Sequence, residues 1–106
     1  MKGNAQIKRT SLGYEDHGIL TCYLHLEQAG SGQGFGGYRL DAHKGSSIWT
    51  DFWVKRILEV VGVGTWEELP GKFVRVEGAE FGEIAGIGHI LEDKWFYPKK
   101  EIEEKT

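Results

Sequence analysis

Asp41-Ala42-His43 sets a carboxylate and an imidazole two residues apart, and Glu15-Asp16-His17 puts three more titratable groups between Gly13 and Gly18. In an extended chain, side chains two apart point the same way. Asp41 and His43 could therefore share a metal ion, or move a proton, together with His17 or His25. No H-x-x-x-H or C-x-x-C spacing accompanies them, so neither a metal nor a cofactor is expected. The same residue types also serve turns, where Asp16 would bond nearby amides.

Two other constellations point to binding. The run Ala29–Gly37 (AGSGQGFGG) holds five glycines, and amides in such a segment can cradle an anion. It fits neither G-x-G-x-x-G nor a P-loop, because a strand pattern follows it and not a helix. Glycine within a strand marks a bulge, a bend or a close neighbour. Tyr23, Phe35, Tyr38 and Phe73 fall on predicted strands, with Arg39 sharing a face with Phe35 and Arg75 sharing one with Phe73. Aromatics beside arginines on an open sheet hold single-stranded nucleic acid or a nucleotide base. Nothing identifies a reaction. Cys22 lies on a predicted core face, and Ser11, Ser31, Ser46 and Ser47 lack a G-x-S-x-G setting. The expectation is a binding protein and not an enzyme.

The elements that must position these residues follow from hydrophobic spacing. Residues 5–12 alternate weakly as a strand, and Gly13–Gly18 reads as a hairpin loop. Residues 19–27 alternate well, with Leu20, Cys22, Leu24 and Leu26 on a core face. Ile19, Thr21, Tyr23, His25 and Glu27 fall on a mixed second face that is partly covered or functional. A further strand runs from Phe35 to Leu40. Ser46–Val61 has helical spacing, a serine cap at its start and Gly62 as its stop. Thr65-Trp66-Glu67-Glu68 matches a capping box. Strands over 72–77 and 84–91 follow, and a short final strand is suggested by Trp95–Tyr97. Short connections and alternating strands predict an α+β fold: a curved, mainly antiparallel sheet (β-β-β-α-β-β) packed on one amphipathic helix, with a partial barrel as the second choice. Residues 1–98 would form one domain and 99–106 a charged tail.

Composition narrows the function classes. The 106 residues carry 16 glycines, one cysteine and a net charge of -3, which fits a single domain. Residues 1–45 hold five Lys/Arg against four Asp/Glu, and residues 46–106 hold eight against twelve. Neither half has the basic excess of a duplex-DNA binder. No apolar run is long enough for a membrane helix. The first residues do not read as an export leader, and one cysteine cannot form an internal disulfide. A reducing cytoplasm is the expected setting.

Four segments carry a resemblance: Leu12–Thr21 (LGYEDHGILT), Gln33–Tyr38 (QGFGGY), Trp66–Lys72 (WEELPGK) and Gly88–Pro98 (GHILEDKWFYP). Together they resemble a group of small bacteriophage and prophage proteins. The resemblance implies an accessory protein of a mobile element, acting in the cytoplasm of a host cell, and transfers no catalytic residue.

The leading expectation is a non-enzymatic accessory protein that binds a host macromolecule or a small anionic ligand, such as an inhibitor of host defence. Asp16, His17, Gly34, Phe35, Gly36, Tyr38, Arg39, Asp41 and His43 are its candidate ligand-binding residues. The alternative is a single-stranded nucleic-acid module. The third reading is a small metal-dependent hydrolase on Asp16, His17, Asp41 and His43. The edges of a glycine-rich sheet favour pairing, so a homodimer is also expected.

Overall fold

The computed structural model of the chain describes residues 2–14, 20–38, 48–78 and 84–105. Six strands form one antiparallel sheet: β1 (Lys2–Tyr14), β2 (Leu20–Gln28), β3 (Ser31–Tyr38), β4 (Phe73–Gly78), β5 (Ile84–His89) and β6 (Trp95–Phe96). Their order is β3-β2-β1-β4-β5-β6, so two three-stranded meanders meet along the β1–β4 seam. Helix α1 (Ile48–Val61) lies between the meanders in sequence, and α2 (Pro98–Lys105) closes the chain.

The thirteen residues of β1 serve both meanders. Lys2–Gln6 pair with β4, and Gln6–Tyr14 pair with β2. A register shift between Ile7 and Arg9 separates the two uses, leaving Lys8 as the bulged residue. A bulge bends its strand and re-aims the side chains beyond it. Ile7 stays on the seam: its amide donates to the Lys72 carbonyl at 2.8 Å, and its carbonyl accepts from Gly71 at 2.7 Å.

The curl of the sheet encloses the core. β3 and β6 stand at opposite ends of the strand order, yet Phe35 of β3 meets Phe96 of β6 with ring centroids 5.9 Å apart. Trp53 of α1 completes the cluster, 5.5 Å from Phe35 and 5.1 Å from Phe96. The tilted and edge-on geometries are the favourable ones for aromatic pairs. Ile7, Leu24, Ile57, Val74 and Ile87 are fully buried around it. The strands are all antiparallel and the sheet is not closed by hydrogen bonds between its edges.

Helix α1 packs against β2, β5 and β6. It buries Trp53, Ile57, Val60 and Val61, each worth about 1.5–3 kcal/mol. Asp51, Lys55 and Glu59 remain exposed on the opposite side, as the spacing predicts. Gly62 stops the helix with φ 87°, and its amide donates to the Leu58 carbonyl at 2.9 Å. The expected serine cap at Ser46 or Ser47 lies outside the described residues.

Four local expectations change. The strand expected from Phe35 begins four residues earlier: Ala29 and Gly30 alone make the turn, with φ of 50° and 83°, and β3 starts at Ser31 within the glycine run. Positive φ at both central residues is the signature of a type I′ hairpin. The Thr65–Glu68 capping box does not form. The Thr65 hydroxyl caps nothing, because the Glu68 amide already donates to the Thr65 carbonyl at 3.2 Å in a 3-10 turn, Trp66–Glu68. The Glu68 carboxylate instead accepts from the Gly64 amide at 3.3 Å. The strand expected over 84–91 ends at His89, whose Nδ1 accepts from the amides of Leu91 and Glu92 at 3.0 and 2.9 Å and turns the chain. Of the charged segment expected to be a tail over 99–106, the described residues through Lys105 belong to helix α2, Pro98–Lys105. Pro98 suits the first helical position. The Glu101 carboxylate accepts from the Tyr97 amide and from Arg56 Nε of α1, both at 2.8 Å.

Candidate binding face

The face of the sheet turned away from the core carries the side chains that alternate with it. On β2 these are Tyr23, His25 and Glu27, while Cys22, Leu24 and Leu26 point inward. Beyond the Lys8 bulge, β1 sets Arg9 opposite His25 and Ser11 opposite Tyr23, so Arg9 and Ser11 share the outer face. On β3 the outer positions are Gly32, Gly34 and Gly36, because the intervening Phe35 is buried.

Glycine is required there by a close approach. The Tyr23 ring lies across β3, and a Cβ on Gly34 or Gly36 would collide with it. One face of the phenol ring thus rests on glycine backbone, and Tyr23 is still 37% exposed. His25 meets the ring edge-on, with centroids 4.7 Å apart. Two adjoining recesses of about 430 Å³ each share Tyr23 and His25. One extends past Ser11 and Thr21 to Leu12 and Tyr14, and the other past Lys8, Arg9 and Gln33 to Glu27.

Both signs of charge are present on this face. Lys8 and Arg9 are exposed, and among the described residues neither forms a salt bridge. His25 titrates below its ordinary value, first because partial burial disfavours the charged ring and then because Arg9 repels it. Among the described residues, Glu27 is the one carboxylate lining either recess.

The same device recurs on the other meander. Trp95 and Tyr97 stack with their planes 14° apart, covering Gly88 and Gly86, where a Cβ would meet the rings. Arg75 lies 4.9 Å over the Trp95 ring and donates to the carbonyls of His89 and Glu92 at 2.7 and 2.6 Å. The Tyr97 hydroxyl donates to Glu77 at 3.1 Å. These polar groups are engaged with one another, so this cluster finishes the sheet edge. A third recess, between α1 and β6, is lined by Arg56, which is bound to Glu101, Glu59 and the Trp95 carbonyl.

The expected site residues divide accordingly. Gly34 and Gly36 form the floor beneath Tyr23. Phe35 is 3% exposed and belongs to the core cluster, so it does not share the outer face with Tyr23, Phe73 and Arg75. The Tyr38 backbone pairs with Thr21. Asp16, His17, Arg39, Asp41 and His43 lie outside the described residues. The strand ends from which those segments depart are neighbours, since Tyr14 pairs with Leu20 and Tyr38 with Thr21.

Lys8, Arg9 and Ser11 were not visible as site residues from spacing, because the bulge breaks the alternation of β1. The mixed face of β2 did signal Tyr23 and His25. For covalent chemistry the described residues offer little. The Cys22 thiol is pushed up to about 12 by burial, and no described group of three or more metal-ligating side chains is present. No described helix is long and apolar enough to cross a membrane. Comparison with family models, with curated proteins and with solved structures gave no match.

Proposed function

We propose that this chain is a non-enzymatic binding domain that takes an anionic ligand on the outer face of β1–β2–β3. One observation carries the reading: two recesses meet at Tyr23 and His25, beside two cations, Lys8 and Arg9, that form no salt bridge among the described residues. An unpaired guanidinium on a sheet face is a ready donor to phosphate or carboxylate oxygens. The scaffold that presents it is the curved sheet packed on α1. In the setting implied by the phage resemblance, the anion would belong to a host macromolecule in the cytoplasm.

Titration of the ¹⁵N-labelled protein with inorganic phosphate and with a nucleoside monophosphate tests the placement. Saturable shifts at Arg9, Tyr23 and His25, lost in Arg9→Ala, are expected. Shifts absent from these residues, or unchanged in Arg9→Ala, would move the site elsewhere.

A further inference from the structure

We infer that the anion on this face is single-stranded nucleic acid, with a base stacked on Tyr23 and the backbone phosphates running past Arg9 and Lys8. The inference rests on the binding reading above and specifies its ligand.

Tyr23 has the geometry of a stacking platform. Its ring lies over the glycine backbone of β3 at Gly34 and Gly36, where no side chain intervenes, His25 packs against it at 4.7 Å, and 37% of the residue stays exposed. Base–aromatic stacking uses such a flat, exposed ring and tolerates any sequence. A second aromatic continues the same face. Phe73 is 57% exposed and pairs with Gln6, which pairs on its other side with Glu27 of β2. Tyr23 and Phe73 therefore stand at separate points of one surface, with Arg9 and the bulged Lys8 between their strands.

The shape discriminates among anions. A mononucleotide site encloses most of its ligand, whereas these recesses are open and continue into each other across β1, β2 and β3. An extended strand fits such a surface. Duplex binding demands many phosphate contacts, and among the described residues only Lys8 and Arg9 are cations without a salt bridge lining the recesses. Glu27 would repel a phosphate, but its carboxylate can accept from a base N–H, such as the N3–H of thymine or uracil. The phosphates are thereby placed on the β1 side and the bases on the β2 side.

Fluorescence anisotropy with labelled twelve-nucleotide poly-dT and poly-U, from low to physiological salt, tests the inference. Polyphosphate of matched charge serves as the anion without bases. At low salt both oligonucleotides should bind saturably, and polyphosphate at least about tenfold more weakly. Tyr23→Leu should weaken oligonucleotide binding about tenfold, while Tyr23→Phe stays within about twofold. Arg9→Ala should reduce the slope of log K against log salt by about 0.7. If Tyr23→Leu fails to fold, Phe73→Ser carries the same expectation in a smaller measure. Equal binding of polyphosphate, or indifference to loss of both rings, overturns base recognition while leaving an anion site. Absence of oligonucleotide binding together with saturable phosphate shifts at His25 overturns the inference alone. Absence of both removes the anion reading as well.

Discussion

His25 and Cys22 are neighbours on β2 that face opposite ways, and their titration differs for that reason. Cys22 points into the core, where burial alone pushes its thiol up to about 12. The thiolate is the reactive form, and at pH 8 a thiol with that value is ionised to about 1 part in 10⁴. Native protein should therefore react with a thiol reagent at least a hundredfold more slowly than denatured protein. Rapid native labelling would show that Cys22 is accessible. His25 is held below its ordinary 6.5, with burial the larger cause and Arg9 the smaller. Between the folded value and 6.5 the unfolded chain binds more protons, so stability is full above this window and falls as pH drops through it. An NMR titration should place the His25 midpoint below 6.5. Arg9→Ala should raise it without restoring the ordinary value. A midpoint at or above 6.5 would contradict the described environment.

At the scale of elements, the glycines divide by what lies over them. Gly88 is buried beneath the Trp95 ring, whose atoms would lie 2.6–2.8 Å from an added Cβ. That ring is fixed by Tyr97 on one side and by Arg75. Gly88→Ala should therefore cost about 1–3 kcal/mol by overpacking, measured by denaturant unfolding. A neutral result would mean that the stack shifts freely. The β2–β3 turn carries the opposite kind of defect. Ala29 holds φ 50°, a conformation that costs an ordinary L-residue about 1 kcal/mol. Asn is favoured at this position of a type I′ turn. Ala29→Asn should stabilise the protein by about 0.5–1 kcal/mol, seen as a higher denaturation midpoint at constant slope. A lower midpoint would argue against that turn geometry.

These elements also show what could be read from the chain and what could not. Helix α1 was legible because Phe52, Trp53, Ile57, Val60 and Val61 repeat at helical spacing and Gly62 stops them. The alternation of β2 was equally plain. The reason for Gly34, Gly36, Gly86 and Gly88 was not, because the rings that cover them come from neighbouring strands, which spacing within one strand does not reveal. Arg9 was hidden by the bulge at Lys8. Helix α2 was misread because its only large apolar residue is Ile102, and its anchor, Arg56 to Glu101, joins residues 45 apart.

Among the described residues, one side of the curled sheet is filled and part of the other is left open. Phe35, Trp53 and Phe96 bring the far strands together over the core, and α1 adds its apolar stripe. On the outer side, Trp95, Tyr97 and Arg75 cover β4–β5, whereas β1–β3 present Tyr23, His25, Lys8 and Arg9 around open recesses. The net charge of -3 does not oppose this, because Lys8 and Arg9, which form no salt bridge among the described residues, would act at short range. The central claim is that this outer face is where the protein meets its ligand. Its most direct measurement is a ¹H–¹⁵N titration with the twelve-nucleotide poly-dT at low salt. Saturable shifts should appear at Lys8, Arg9, Tyr23, His25, Gly34 and Gly36 and leave Asp51, Lys55 and Glu59 on the exposed side of α1 unmoved. Shifts concentrated on α1 or α2, or none at all, would contradict it.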